Sequence, residues 1–145
     1  MNLGKTWNER GSISYFNIKS LYPNSLLYEV RSYLNNLDNI EMIFYYLNPD
    51  DTIPHHLIVN IDKDGNESVS EINSPWIGDM SFDITKVEMN LEESINIIHD
   101  PGWKCVSLRV PLGPITTSPK YIFGNSYDTP FVSVDSGTGK VEILN

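Results

Sequence analysis

Three groups in this 145-residue chain have the side-chain types that chemistry uses. His55-His56 is an adjacent imidazole pair, Asp62-Lys63-Asp64-Gly65-Asn66 opens like a calcium loop, and Cys105 is the single thiol. Neighbouring residues on a strand project to opposite faces, so the two imidazoles do not converge on one metal. The acidic run lacks a third ligand position, and the twelfth residue from Asp62, where a bidentate glutamate would stand, is Asn73. A tight turn is the better reading. Cys105 lies between Lys104 and Val106 in a strand-like run, the setting of a small core residue rather than a nucleophile.

The remaining candidates are equally plain. Glu92-Glu93 and Asp50-Asp51 are adjacent acids that do not converge on a substrate. Gly137-Thr138-Gly139-Lys140 shares residue types with a phosphate loop, but a strand-like run follows it instead of a helix. His99 is placed to cap helix carbonyls. No Gly-x-Ser-x-Gly elbow occurs. With no nucleophile, base and orienter in prospect, no catalytic residue, metal ligand or cofactor is assigned, and the chain reads as a non-enzyme.

The elements that would carry these groups follow from periodicity. Residues 1–12 are polar and Gly-punctuated, a flexible arm. Ser12–Ile18 alternates and reads as a short strand, whereas Tyr22–Leu37 places Leu26, Leu27, Val30, Tyr33, Leu34 and Leu37 at helical spacing. Aromatic and β-branched residues then give a strand over 39–47, a second over 54–62, a turn at 63–67 and a third strand over 68–72. The second half repeats the order. A strand at 80–89 precedes a helix at 90–100, capped by Asn90 and stopped by Pro101-Gly102. Alternation over 103–113, a Pro-rich loop at 114–119, a strand at 120–124 and a closing hairpin complete it. In that hairpin Asp135 and Gly139 are turn residues, the Gly supplying a positive φ and the Asp bonding its own downstream backbone.

The expected fold is therefore α+β, with two similar strand-helix-antiparallel-meander repeats at 13–72 and 81–145, a linker at 73–80, and helices packed on antiparallel sheet. Their period of roughly 65–73 residues suits a duplicated unit rather than a solenoid. The hairpin Val134-Asp135-Ser136-Gly137-Thr138-Gly139-Lys140-Val141 resembles the end of a PepSY domain, and the helix and strand of residues 90–112 resemble that family's helix and first meander strand. The resemblance covers about residues 81–145 and extends more weakly to the first half. It implies a non-catalytic module that binds or inhibits a partner, commonly outside the cytoplasm.

Composition sets the remaining bounds. Ten basic residues against nineteen acidic ones give a formal charge of −9. No basic stripe offers a track for nucleic acid, and the acidic balance steers encounter with a basic protein. No apolar run reaches the ~18 residues of a membrane span, and residues 1–16 show no secretory h-region, so the chain as given is expected in the cytoplasm, or outside it if a leader is removed. Both faces of 39–47 are apolar. One face covers the first helix; the other packs on the second half or, if exposed, offers Ile43, Tyr45 and Arg109 as anchors for a protein partner, with Trp76 a plug at the seam between halves and Trp103 a further contact residue. The leading expectation is an inhibitor or immunity-type protein-binding module. The alternatives are a small-ligand binder or enzyme with a pocket between the halves near Trp76 and Trp103, and a secreted accessory module. Oligomeric state is not legible.

Overall fold

The computed structural model describes residues 5–47, 50, 54–74, 80–99, 102–111 and 118–144. Among them the fold is α+β, one antiparallel sheet of eight strands with two α-helices. The helix α1 (Trp7–Leu21) leads into β1 (Leu26–Tyr33), β2 (Ile40–Tyr46), β3 (His55–Ile61) and β4 (Glu67–Ile72). A 3-10 turn at Ile84–Lys86 and α2 (Leu91–Ile98) precede β5 (Cys105–Arg109), β6 (Lys120–Ser126), β7 (Thr129–Asp135) and β8 (Val141–Ile143). The sheet order is β4-β3-β2-β1-β5-β6-β7-β8, so each run of four consecutive strands is a meander and the β1–β5 pair joins them at the centre.

Three regions of the expected fold are overturned. Residues 12–18 lie inside α1 and are not a strand, and α1 also replaces the expected arm from Trp7 onward. Its start is set by a capping box: Thr6 accepts from the Glu9 amide, and Glu9 accepts from the Thr6 amide. The helix buries Trp7, Asn8, Arg10, Gly11, Ser14 and Ile18, a mostly small and polar stripe, while Ile13, Phe16 and Leu21 face water. Gly11 permits close packing, since a Cβ there would lie 2.8 Å from the Ile84 side chain. Apolar spacing in the sequence therefore points away from the buried stripe.

The second correction is β1, which occupies the segment expected to be a helix at 22–37. A register shift between Leu27 and Glu29 places an extra residue in the strand. Leu27 and Val30 consequently both enter the core although three residues apart, a spacing that imitates a helix. The strand expected at 80–89 is a single bridge, Met80 to Val110, followed by the 3-10 turn. The element order in each half is thus helix then four strands, not strand, helix and meander.

The core lies between the sheet and the helices. Met42, Phe44, Leu57 and Val59 of the first meander and Val106, Leu108, Tyr121, Phe123, Val132 and Val134 of the second form one cluster with Trp7, Ile18, Ile84 and Leu91. Each such aliphatic or aromatic side chain contributes about 1.5–3 kcal/mol by leaving water. No helix among the described residues is long and apolar enough to cross a membrane.

Candidate functional site

Because strand side chains alternate, the residues between the core positions share the face of the sheet opposite the helices. Across β3, β2, β1 and β5 the register sets Asn60, Glu41, Arg31 and Ser107 side by side. A second row brings Ile58, Ile43 and Glu29 together. Arg31 Nε donates to Glu41 Oε1 at 2.5 Å, and its Nη1 lies 3.5 Å from Glu29 Oε2. Arg109 Nη1 lies 3.9 Å from Glu29 Oε1. The Glu29 side chain is 1 % exposed, so its charge is held by two guanidinium groups rather than by water.

Aromatic groups frame this network. The Arg31 guanidinium lies 4.3 Å from the centroid of the Tyr127 ring, and Tyr127 stands 5.3 Å from Tyr33. Tyr33 is 56 % exposed. Beside them a concavity of about 360 Å³ is lined by Arg31, Tyr33, Glu41, Asn60, Asp62 and Tyr127 among others. Tyr28 and Tyr45 stack at 6.1 Å further along the face.

Burial sets the protonation of two groups beside the network. Burial pushes the Cys105 thiol up from its ordinary value, with Arg31 and Lys104 only partly opposing it. Burial likewise drives the Tyr127 phenol well above the usual tyrosine range. Ser107 Oγ and Arg109 Nε are buried with no hydrogen-bond partner among the described residues. Among the described residues no group of three or more His, Cys, Asp or Glu is arranged to hold a metal ion. His55 meets Glu71 at 3.1 Å, whereas His56 meets the Ser74 carbonyl at 2.7 Å, the two rings diverging as adjacent strand positions require.

The residues marked in the sequence separate. Ile43 is on the helix-free face but fully buried, which removes it as an outward contact. Tyr45 is half-buried in its stack with Tyr28, and Arg109 is engaged with Glu29. Trp103 stacks on Phe131 at 5.1 Å, and Trp76 lies outside the described residues. Sequence reasoning missed Glu29, Arg31, Tyr33, Glu41 and Tyr127. The alternation Glu29, Arg31, Tyr33 was the available signal, concealed by reading the segment as a helix. Asp62, expected to make a turn, does so: its Oδ1 accepts from the Asp64 and Asn66 amides, and Gly65 adopts φ +85°.

The fold and this face define a class: an α+β protein whose antiparallel sheet carries helices on one side and a paired-charge, tyrosine-framed surface on the other. Comparison with protein-family models, with curated proteins and with solved structures yields no match in any of the three.

Proposed function

We propose that the chain is a non-catalytic protein-binding module, a duplicated PepSY-like unit acting as an inhibitor or immunity-type protein on a basic protein. The duplication is supported by the order of elements, each helix leading into four antiparallel strands, and by the outward ordering of both meanders from the central β1–β5 pair. The observation that carries the binding role is the concavity at Tyr33. There the ionic groups Glu29, Arg31, Glu41 and Arg109 are already bound to one another, while an exposed tyrosine shares the concavity with the carboxylate of Asp62, which no basic side chain of the network meets. Exposed tyrosine next to carboxylate suits an arginine or lysine of a partner, through stacking and charge together. The formal charge of −9 steers such a partner into encounter.

The test is capture of basic proteins from a cell lysate at low ionic strength, followed by titration calorimetry of the purified captured protein at low and at high ionic strength. Tight binding that weakens with salt, and that Tyr33→Ala weakens about tenfold or more without altering the melting curve, is the expected result. Absence of heat at low ionic strength removes the reading.

A further inference from the structure

Among the described residues the sheet ends at β4, a six-residue strand that is the longer of its two borders, β8 having three residues. Its backbone pairing can be followed from the turn. The Asp62 amide donates to the Asn66 carbonyl, so these opposed residues form a hydrogen-bonded pair. The register runs unbroken from there through Ile61↔Glu67 to His56↔Ile72. Alternation therefore turns the amides and carbonyls of Ser68, Ser70 and Ile72 inward to β3, and those of Glu67, Val69 and Glu71 outward to water. The side chains of these three outward residues share one face. Every residue from Ser68 to Ile72 is exposed, Val69 at 38 %.

We infer that the β4 border is a strand-docking site for an extended segment of a basic protein, with basic, apolar and basic residues at alternate positions opposite Glu67, Val69 and Glu71. Main-chain bonds would come from the outward groups, and the alternation of the side chains would set selectivity. Charge complementarity decides the occupant. In a symmetric antiparallel pairing of two copies about Val69, Glu67 of each faces Glu71 of the other, and like charges directly opposed repel. A basic segment reverses the sign of both contacts. Glu67 already accepts from Asn17 Nδ2 at 3.0 Å, and Glu71 lies 3.1 Å from His55, so both carboxylates are held on the strand's own face. This inference rests on the proposed binding of a basic protein and adds the route by which part of that protein is held.

The test is amide hydrogen exchange on the whole chain with the blocked peptide Thr-Lys-Thr-Val-Thr-Lys-Thr, beside a peptide of the same composition whose lysines fall on opposite faces. Slowed exchange at Glu67, Val69 and Glu71 with the alternating peptide alone is expected. No slowing, or equal slowing with both peptides, overturns the inference. Protection that grows with protein concentration in the absence of peptide identifies a second copy as the occupant and also overturns it. Val69→Pro deletes an outward amide while sparing the pairing with β3, and should weaken the peptide about tenfold. Should that variant not fold, Glu67→Gln with Glu71→Gln gives a second reading, with unchanged peptide affinity counting against the inference. The basic protein captured from lysate is assayed in parallel. If it binds the parent chain and Val69→Pro alike, β4 is not its route and the inference falls while the functional proposal stands. If it binds neither while the peptide protects β4, the strand-docking site stands and the functional proposal falls.

Discussion

Asn8 on α1 and Tyr121 on β6 are joined by a 2.7 Å hydrogen bond, Asn8 Nδ2 donating to the phenol oxygen. The phenol donates in turn to the Met89 carbonyl at 2.5 Å, and Asn8 Oδ1 accepts from the Leu91 amide at the start of α2. One asparagine side chain thus ties the first helix to the second and to the distant meander. Asn8→Ala is expected to lower stability by about 1–3 kcal/mol, because it strands the buried Leu91 amide and removes one of the two hydrogen bonds of the Tyr121 hydroxyl. With Tyr121→Phe it should be non-additive in a double-mutant cycle read by denaturant unfolding. Additive losses would show that the two groups act separately.

Arg10 makes the corresponding tie at the other end. Its buried guanidinium donates to the carbonyls of Asp38 and Asp62, at 2.7 and 2.8 Å, and so holds the β1–β2 and β3–β4 turns to α1. Arg10→Met should cost about 2–4 kcal/mol and speed amide exchange in both turns. Arg10→Lys should recover part of this, since a single nitrogen, Nη2, donates to both carbonyls and an ammonium also carries several donors, while the Nη1 bond to the Leu37 carbonyl is lost.

Tyr121 and Tyr127 both hold their phenol protons more tightly in the folded protein than outside it, burial being the main cause for each. The resulting stabilisation is complete below the ordinary tyrosine value of 10.0 and is lost as the pH rises above it towards the folded-state values. The melting temperature should therefore fall on the alkaline side of pH 10. Tyr127→Phe should flatten that fall, and phenolate absorbance should show Tyr121 and Tyr127, with Tyr15 shifted in the same direction, appearing late and together with unfolding.

The glycines of the hairpins should rank by what surrounds them. Gly65, with φ +85°, has open space around it, so Gly65→Ala carries only the left-handed backbone cost of about 1–2 kcal/mol. At Gly124 a Cβ would stand 2.0 Å from the Thr129 carbonyl oxygen, inside the irregular β6–β7 register. Gly124→Ala should cost about 1–3 kcal/mol more, because backbone has to move. Thermal unfolding of the two variants gives the order directly.

The hairpins and the second helix were legible because their signals are local. Asp62 and Asp135 each accept from their own downstream amides, Gly65 and Gly139 have positive φ, and Asn90 caps α2 reciprocally with Glu93. The first forty residues were not, for two reasons. A bulge at the Tyr28 position gave β1 the spacing of a helix, and α1 buries small and polar residues whose worth lies in partners far along the chain, such as Ser32 for the Trp7 indole. Its one local signal is Thr6 with Glu9 three residues later. The charged cluster around Glu29 was hidden by the same misreading, since only a strand brings Glu29, Arg31 and Tyr33 to one face.

In the described sheet six of the seven strand pairings link neighbours in the chain; β1 with β5 is the exception. As the polypeptide leaves the ribosome, the amino-terminal meander can zip up while its inner strand still lacks a neighbour. Val30 and the residues after it to Tyr33 then sit beside an open seam until residues 105–109 are made and close it. That interval is the stage of synthesis at which newly made copies are most prone to stick to one another, and slowing translation between β4 and β5 would lengthen it.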